Sequence, residues 1–252
     1  NSVPLGMAMR YGTPSIESQV LELSRLPNID EILLVPLYPH YAESTIATTI
    51  AETERVLKKH ALSIKLKTLK PFYDRPEYIE ALVSSAQPWI SKPESYDHVL
   101  FSYHGLPEQH ITGTDPTGNH CLKQENCCSV SSSAHETCYR HQVFKTTECF
   151  VKETGLKQEQ YTIAFQSRLG RARWLEPSTN DTLIELANAG VKNLLVLCPA
   201  FVSDCLETLE EIELEGTETF KSHGGESLTL IPCLNDNPVW VDKLTDLIAS
   251  SA

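Results

Sequence analysis

The stretch His98-Val99-Leu100-Phe101-Ser102-Tyr103-His104-Gly105-Leu106-Pro107 sets an apolar run of strand length against an abrupt turn. Gly105 and Pro107 end the run, because glycine reaches backbone conformations closed to other residues and proline cannot donate to a ladder. Similar runs occur at 3–11, 31–37, 62–69, 161–166, 193–199 and 228–232. Between them lie amphipathic stretches of helical length at 14–26, 44–60, 76–90, 132–154, 178–189 and 204–220, and a last one covers 238–250. Ser44 and Ser178 read as N-caps and Gly190 as the residue just past a helix end. Alternation of this kind predicts an α/β fold with parallel sheets flanked by helices on both faces. The Lys-Pro-Glu-Ser stretch within 91–96 divides the chain into an N-terminal α/β half, 1–94, and a C-terminal one, 95–236. The closing helix, 237–252, is free to pack on the first half.

The chain has 252 residues, 41% hydrophobic and 21% charged, and a formal net charge of -12. Composition of this kind supports packed cores rather than disorder. The charge argues against nucleic acid as a partner, since phosphates would be repelled. No apolar run approaches the length of a transmembrane segment, which leaves peripheral membrane contact and the oligomeric state open. No signal peptide opens the chain, and its start looks like a strand met mid-fold, so the natural N-terminus is expected further upstream. Eight cysteines in such a chain read as thiols or metal ligands rather than disulfides, and a cytoplasmic location is the default.

Ligands of open parallel sheets bind beyond the carboxyl ends of the strands. Here those ends carry Tyr38-Pro39-His40, Tyr103-His104-Gly105-Leu106-Pro107, Gln166-Ser167-Arg168 and Pro199-Ala200-Phe201-Val202-Ser203-Asp204, which suggests one cleft. An imidazole at His104 would project into it and could accept a proton or bind a metal, or could simply cap its strand. Glu207, Glu211 and Glu215 recur every fourth residue and form a stripe along a helix. Stacked carboxylates repel, and those toward the helix C-terminus oppose the macrodipole; a cation would relieve both penalties. The alternatives are an Asp204/Glu207 capping box and a solvated acidic face.

Phe101-Ser102-Tyr103-His104-Gly105-Leu106-Pro107, Phe165-Gln166-Ser167-Arg168-Leu169-Gly170 with Trp174-Leu175, and the run from Pro199 to Leu209 resemble the ferrochelatase family. Met9-Arg10-Tyr11, Tyr38-Pro39-His40-Tyr41 and Cys233-Leu234-Asn235-Asp236-Asn237-Pro238 match more weakly, in the same order. The resemblance implies two Rossmann-like, chelatase-type domains with a porphyrin cleft between them. It implies a lyase of haem biosynthesis that inserts iron(II) into protoporphyrin IX or coproporphyrin III, needing no nucleotide. It implies His104 as catalytic base and Glu207 as its partner across the cleft, with both residues and Glu211 and Glu215 handling the metal. The acidic helix would have π character. Trp174, Tyr38, Ser102, Gln166 and Ser167 would line or support the macrocycle site.

Two departures stand out. Cys205 occupies a position where many members have histidine, and the family's first strand and porphyrin-binding lip would precede Asn1, so weaker porphyrin binding is expected. Cys121, Cys127, Cys128 and Cys138 look like the internal segment that holds a [2Fe–2S] cluster in some bacterial members, with His110, His120, His135 and His141 as spare ligands; free thiols in a variable loop are the alternative. Cys149, Cys198 and Cys233 read as small buried residues. Rival functions are insertion of cobalt or nickel into another tetrapyrrole and a two-lobed metal-binding protein without turnover.

Overall fold

A computed structural model of the chain describes residues 3–251. Strands β1 (Glu31–Leu34) and β2 (Lys65–Thr68) form one parallel pair. Strands β3 (His98–His104), β4 (Tyr161–Gln166), β5 (Asn193–Leu197) and β6 (Ser227–Leu230) form a second, all-parallel sheet in the order β4-β3-β5-β6. The helices are α1 (Ile16–Ser24), α2 (Thr48–Lys59), α3 (Pro76–Ile90), α4 (Glu108–Gly113), α5 (Tyr139–Thr154), α6 (Thr179–Asn188), α7 (Leu206–Thr208), α8 (Thr217–Ser222) and α9 (Pro238–Ala249). The pleat sorts β3 between two cores. Val99, Phe101 and Tyr103 face Tyr78 and Leu82 of α3, Val143 and Phe150 of α5, and Trp240 of α9. Leu100 faces Leu183 and Ala187 of α6 and Phe220 of α8. Both faces are buried, which is why β3 reads as an unbroken apolar run.

The first sheet rests Ile32 and Leu66 on Val20 of α1 and Val56 of α2. Helix α9 returns to pack on α3, where Trp240 meets Phe72 at 5.9 Å and Tyr78 at 6.1 Å between ring centroids. The Tyr78 hydroxyl donates to the carbonyl of Pro199, tying α3 to the end of β5. Ser178 caps α6 by accepting the Asp181 N–H at 3.1 Å, and Gly190 follows that helix at φ 97°, where a Cβ would be strained.

Four expectations need correction. Residues 3–8 form no strand; Met9 makes a single bridge to Ser15, and Val3, Leu5 and Met7 are exposed. Among the described residues β1 pairs only with β2, so nothing aligns with this segment to satisfy its backbone. Ser44 caps nothing, because it lies inside a π-helical turn, Glu43–Ala47, that precedes α2. The helix expected from 132 breaks at Thr137 and Cys138, where the Gln142 amide donates to the carbonyls of His135 and Glu136. The stretch 204–220 is not one uninterrupted helix: a turn of α7 leads into a π-helix at Leu209–Gly216, the character that the family resemblance implied, and then into α8.

His40, beyond β1, packs edge-on against Tyr103 of β3 and Tyr139 of α5. Thr146 donates its hydroxyl proton to the Tyr73 carbonyl at 2.7 Å and so accepts from His40 Nε2 at 2.9 Å. Nδ1 of His40 has no partner, and burial lowers the pKa from 6.5 to about 3. The unfolded chain therefore binds a proton that the folded one refuses between those values, and stability falls as pH drops below about 6.5, by at most ~1.4 kcal/mol per unit. Thermal unfolding at pH 7 and pH 5 checks this: His40→Gln should lose less of its midpoint over that interval than the parent, and an equal loss would contradict the assignment.

Candidate functional site

The candidate catalytic histidine is held by its own turn. Tyr103 is buried, and His104, one residue on, is the partly exposed last member of β3, with its ring 6.2 Å from that of Phe201. His104 Nδ1 lies 2.6 Å from the carbonyl oxygen of Gly105. A carbonyl can only accept, so Nδ1 carries the proton in the neutral ring and Nε2 keeps its lone pair. The His104–Gly105 peptide is fixed at both ends: Gly105 N–H donates to Gln166 O at 2.8 Å, and His104 O accepts the Tyr139 hydroxyl at 2.8 Å. A Cβ on Gly105 would stand 2.8 Å from Gln166 O and 3.2 Å from the Trp174 ring, so only glycine allows this approach. Trp174 is itself set by Nε1–H donating to Leu169 O at 2.9 Å.

Gln166 connects the histidine to the acidic helix. It pairs with His104 across β3 and β4, and its Nε2 donates to the Glu207 carbonyl at 2.6 Å and to Glu211 Oε2 at 3.3 Å. Ser102, expected near the macrocycle, is fully buried; its hydroxyl sits 2.8 Å from both Gln166 Oε1 and Thr179 Oγ1, so it braces Gln166 instead of lining a cleft. Ser167, held at φ 64°, donates N–H and Oγ–H to Glu211 at 2.6 and 2.5 Å. Glu211 is thus a clamp between β4 and the π-helix in this conformation, not an open ligand. Glu215 is exposed, and Tyr38 is exposed beyond β1.

No Asp204/Glu207 capping box forms. Asp204 accepts from Cys233 N–H at 3.1 Å and from Asn235 Nδ2 at 2.6 Å, while Cys205 N–H finds Thr208 Oγ1 at 3.0 Å. The Glu207 carboxylate is left available. The neighbouring Cys205 thiol lowers its pKa, its own backbone N–H adds to this, burial opposes, and the charge of a protonated His104 would lower it further. His104 and Glu207 are linked through Gln166, which pairs with the first across the sheet and donates to the backbone carbonyl of the second.

The four clustered cysteines lie elsewhere. Asp115 accepts the N–H groups of Thr117, His120 and Cys121 at 2.8–2.9 Å and the Thr117 hydroxyl at 2.7 Å; burial raises its pKa, but these bonds, the Thr117 hydroxyl foremost, hold its carboxyl well below the usual range. His120 and His135 bind the Cys127 carbonyl at 2.7 and 2.9 Å, and His141 binds that of Cys128 at 2.7 Å. These histidines, expected as spare ligands, are committed to backbone. Cys121, Cys127, Cys128 and Cys138 are all buried. Among the described residues no three His, Cys, Asp or Glu side chains stand ready as a metal shell. A cavity of about 340 Å³ opens beside Cys127, Cys128, Arg140 and Phe144, away from His104.

The ferrochelatase family model matches residues 1–252. The chain belongs to the ferrochelatase family. Its activity is the insertion of iron into a porphyrin to make haem. The ferrochelatase of Pseudomonas fluorescens strain Pf0-1 is 52% identical over 97% of this chain and 71% of its own length. That of Stutzerimonas stutzeri is 51% identical over the same shares. Among solved structures, SirB from Bacillus subtilis with Fe3+ superposes with a TM-score of 0.65 at 16% identity, covering 100% of this chain and 84% of that one. The sirohydrochlorin chelatase SirB of subspecies spizizenii, in complex with cobalt, gives 0.61 at 13% identity over 96% and 77%. At such identity these two speak for the fold, a chelatase-type α/β architecture. Sequence reasoning missed Tyr139, which no motif marks.

Proposed function

We propose that His104 and Glu207 are the reacting pair of this ferrochelatase, with His104 as the base that removes pyrrole protons and Glu207 as the nearest iron ligand. The observation that carries the reading is the His104 Nδ1–H bond to Gly105 O at 2.6 Å, which leaves Nε2 free to accept. A free porphyrin holds two N–H protons in a planar core, so iron(II) enters only as the ring bends and both protons leave. A rigid cleft that favours the bent ring turns binding energy into strain. Neutral imidazole suits the proton transfer, and an ionised carboxylate suits iron(II). Glu211 and Glu215 extend the track along the helix; Glu211 would have to leave Ser167 to receive metal. Trp174, beside Gly105, and Tyr38 would meet the macrocycle, while Gln166 and Ser167 orient the helix. Residues 1–94 and 95–236 would form the two walls, with the closing helix on the first.

Turnover separates this reading from stoichiometric metal binding. With iron(II) in excess, fluorescence of free porphyrin should disappear catalytically in the parent. His104→Ala should lose at least ~100-fold in kcat and Glu207→Gln a comparable amount; near-parental rates in either would refute the assignment of that residue.

The same proposal extends to the cysteine segment as holder of a [2Fe–2S] cluster. Thiolates are its usual ligands, and four buried cysteines within one short segment fit in kind and number. Arg140 Nη1 donates to Cys128 Sγ at 3.3 Å, a contact that would favour a thiolate, although the neighbouring Cys138 side chain and burial together hold Cys128 well above the usual thiol range. Cys127 Sγ accepts the Leu122 N–H at 3.4 Å and would keep that bond to a bound cluster's ligand sulfur. A reducing, cytoplasmic setting belongs to this reading, since it keeps packed thiols from oxidising. Protein purified without oxygen should show visible charge-transfer absorption and acid-labile sulfide, both lost in Cys128→Ser; absence of both from the parent would remove the cluster.

A further inference from the structure

Tyr139 joins two parts of the molecule that the reaction scheme leaves unconnected. Its hydroxyl donates to the His104 carbonyl at 2.8 Å, and its ring is buried, edge-on to His40 at 5.7 Å. Burial raises its pKa, so the phenol remains a donor at any working pH. Cys138, next in the chain, is the N-cap residue of α5 and is buried in the same core as Cys121 and Tyr139. The cysteine segment is in turn anchored by Asp115 and by three imidazoles on the carbonyls of Cys127 and Cys128.

The consequence at His104 follows from geometry. The imidazole is aimed by the Gly105 carbonyl, and that carbonyl is aimed by the peptide before it. Of the two bonds that fix this peptide, the one to Gln166 O belongs to the sheet and is as rigid as the sheet. The other comes from Tyr139, which opens α5 directly after the buried Cys138. Losing that hydroxyl frees the peptide to rock about its strand-side bond and spreads the ring over more orientations. A small misplacement of a catalytic base reduces turnover well before it disturbs binding.

We infer that Tyr139 is a positioning residue for His104 and that through it the packing of Cys121 and Cys138 governs the aim of the imidazole. This rests on His104 being the base. Tyr139→Phe keeps the ring and removes only the hydroxyl. In haem-formation kinetics with anaerobically purified protein it should lower kcat by about 3- to 10-fold, the worth of one hydrogen bond, with KM for porphyrin and for iron unchanged and the pH profile of kcat displaced. Cys138→Ser should reduce kcat in the parent but add little on top of Tyr139→Phe, because both act through one bond. Parental kcat and pH profile in Tyr139→Phe beside an inactive His104→Ala would overturn the inference alone. An active His104→Ala would overturn the reading beneath it. Multiplying effects of Cys138→Ser and Tyr139→Phe would overturn the link to the cysteine segment.

Discussion

The peptide bond between His104 and Gly105 is the fixed point from which the rest of the site is built. Its N–H is satisfied by the neighbouring strand and its C=O by a buried phenol, and the next carbonyl sets the imidazole tautomer. Such an arrangement needs β3 buried on both faces, so that the strand end cannot shift, and it needs a glycine, because Gln166 O and Trp174 occupy the space a side chain would take. The two cores flanking the sheet therefore matter to the chemistry as well as to stability: they hold an otherwise mobile turn to within the tolerance that proton transfer demands.

The acidic helix meets a different constraint. Carboxylates every fourth residue repel one another, and a π-helix, with its wider i→i+5 turn, keeps them more nearly in line than an α-helix would. The protein relieves the strain selectively. Glu211 receives three donors from Gln166 and Ser167, Glu207 has the Cys205 thiol as a neighbour, and Glu215 is left to solvent. The repulsion that remains is what a divalent cation would offset. The side chain beside Glu207 is the thiol of Cys205, a softer group than a carboxylate.

Much of this was legible in the sequence, for identifiable reasons. The strands 98–104 and 161–166 are buried on both sides and read as continuous apolar runs, and Gly105, Pro107 and Gly190 punctuate the chain where the backbone turns. Residues 3–11 misled because an apolar run states what a strand could bury and not whether a neighbour exists to pair with it. The acidic stretch shows a helical period, but its π-turns came from family resemblance, since periodicity does not distinguish i→i+4 from i→i+5. Tyr139 was invisible because its contact with His104 spans 35 positions and depends on how α5 docks. Ser102 looked like part of a cleft because it neighbours His104, whereas the pleat turns it toward Thr179.

The most direct test of the account is the tautomer of His104. Nitrogen-15 NMR of histidine-labelled protein at about pH 8, above the ordinary imidazole range, with the resonance assigned by its loss in His104→Gln, reads it without reference to turnover. The account predicts a protonated Nδ1 and a bare Nε2; a protonated Nε2 would mean that the ring is not held by Gly105 and that no lone pair faces the substrate.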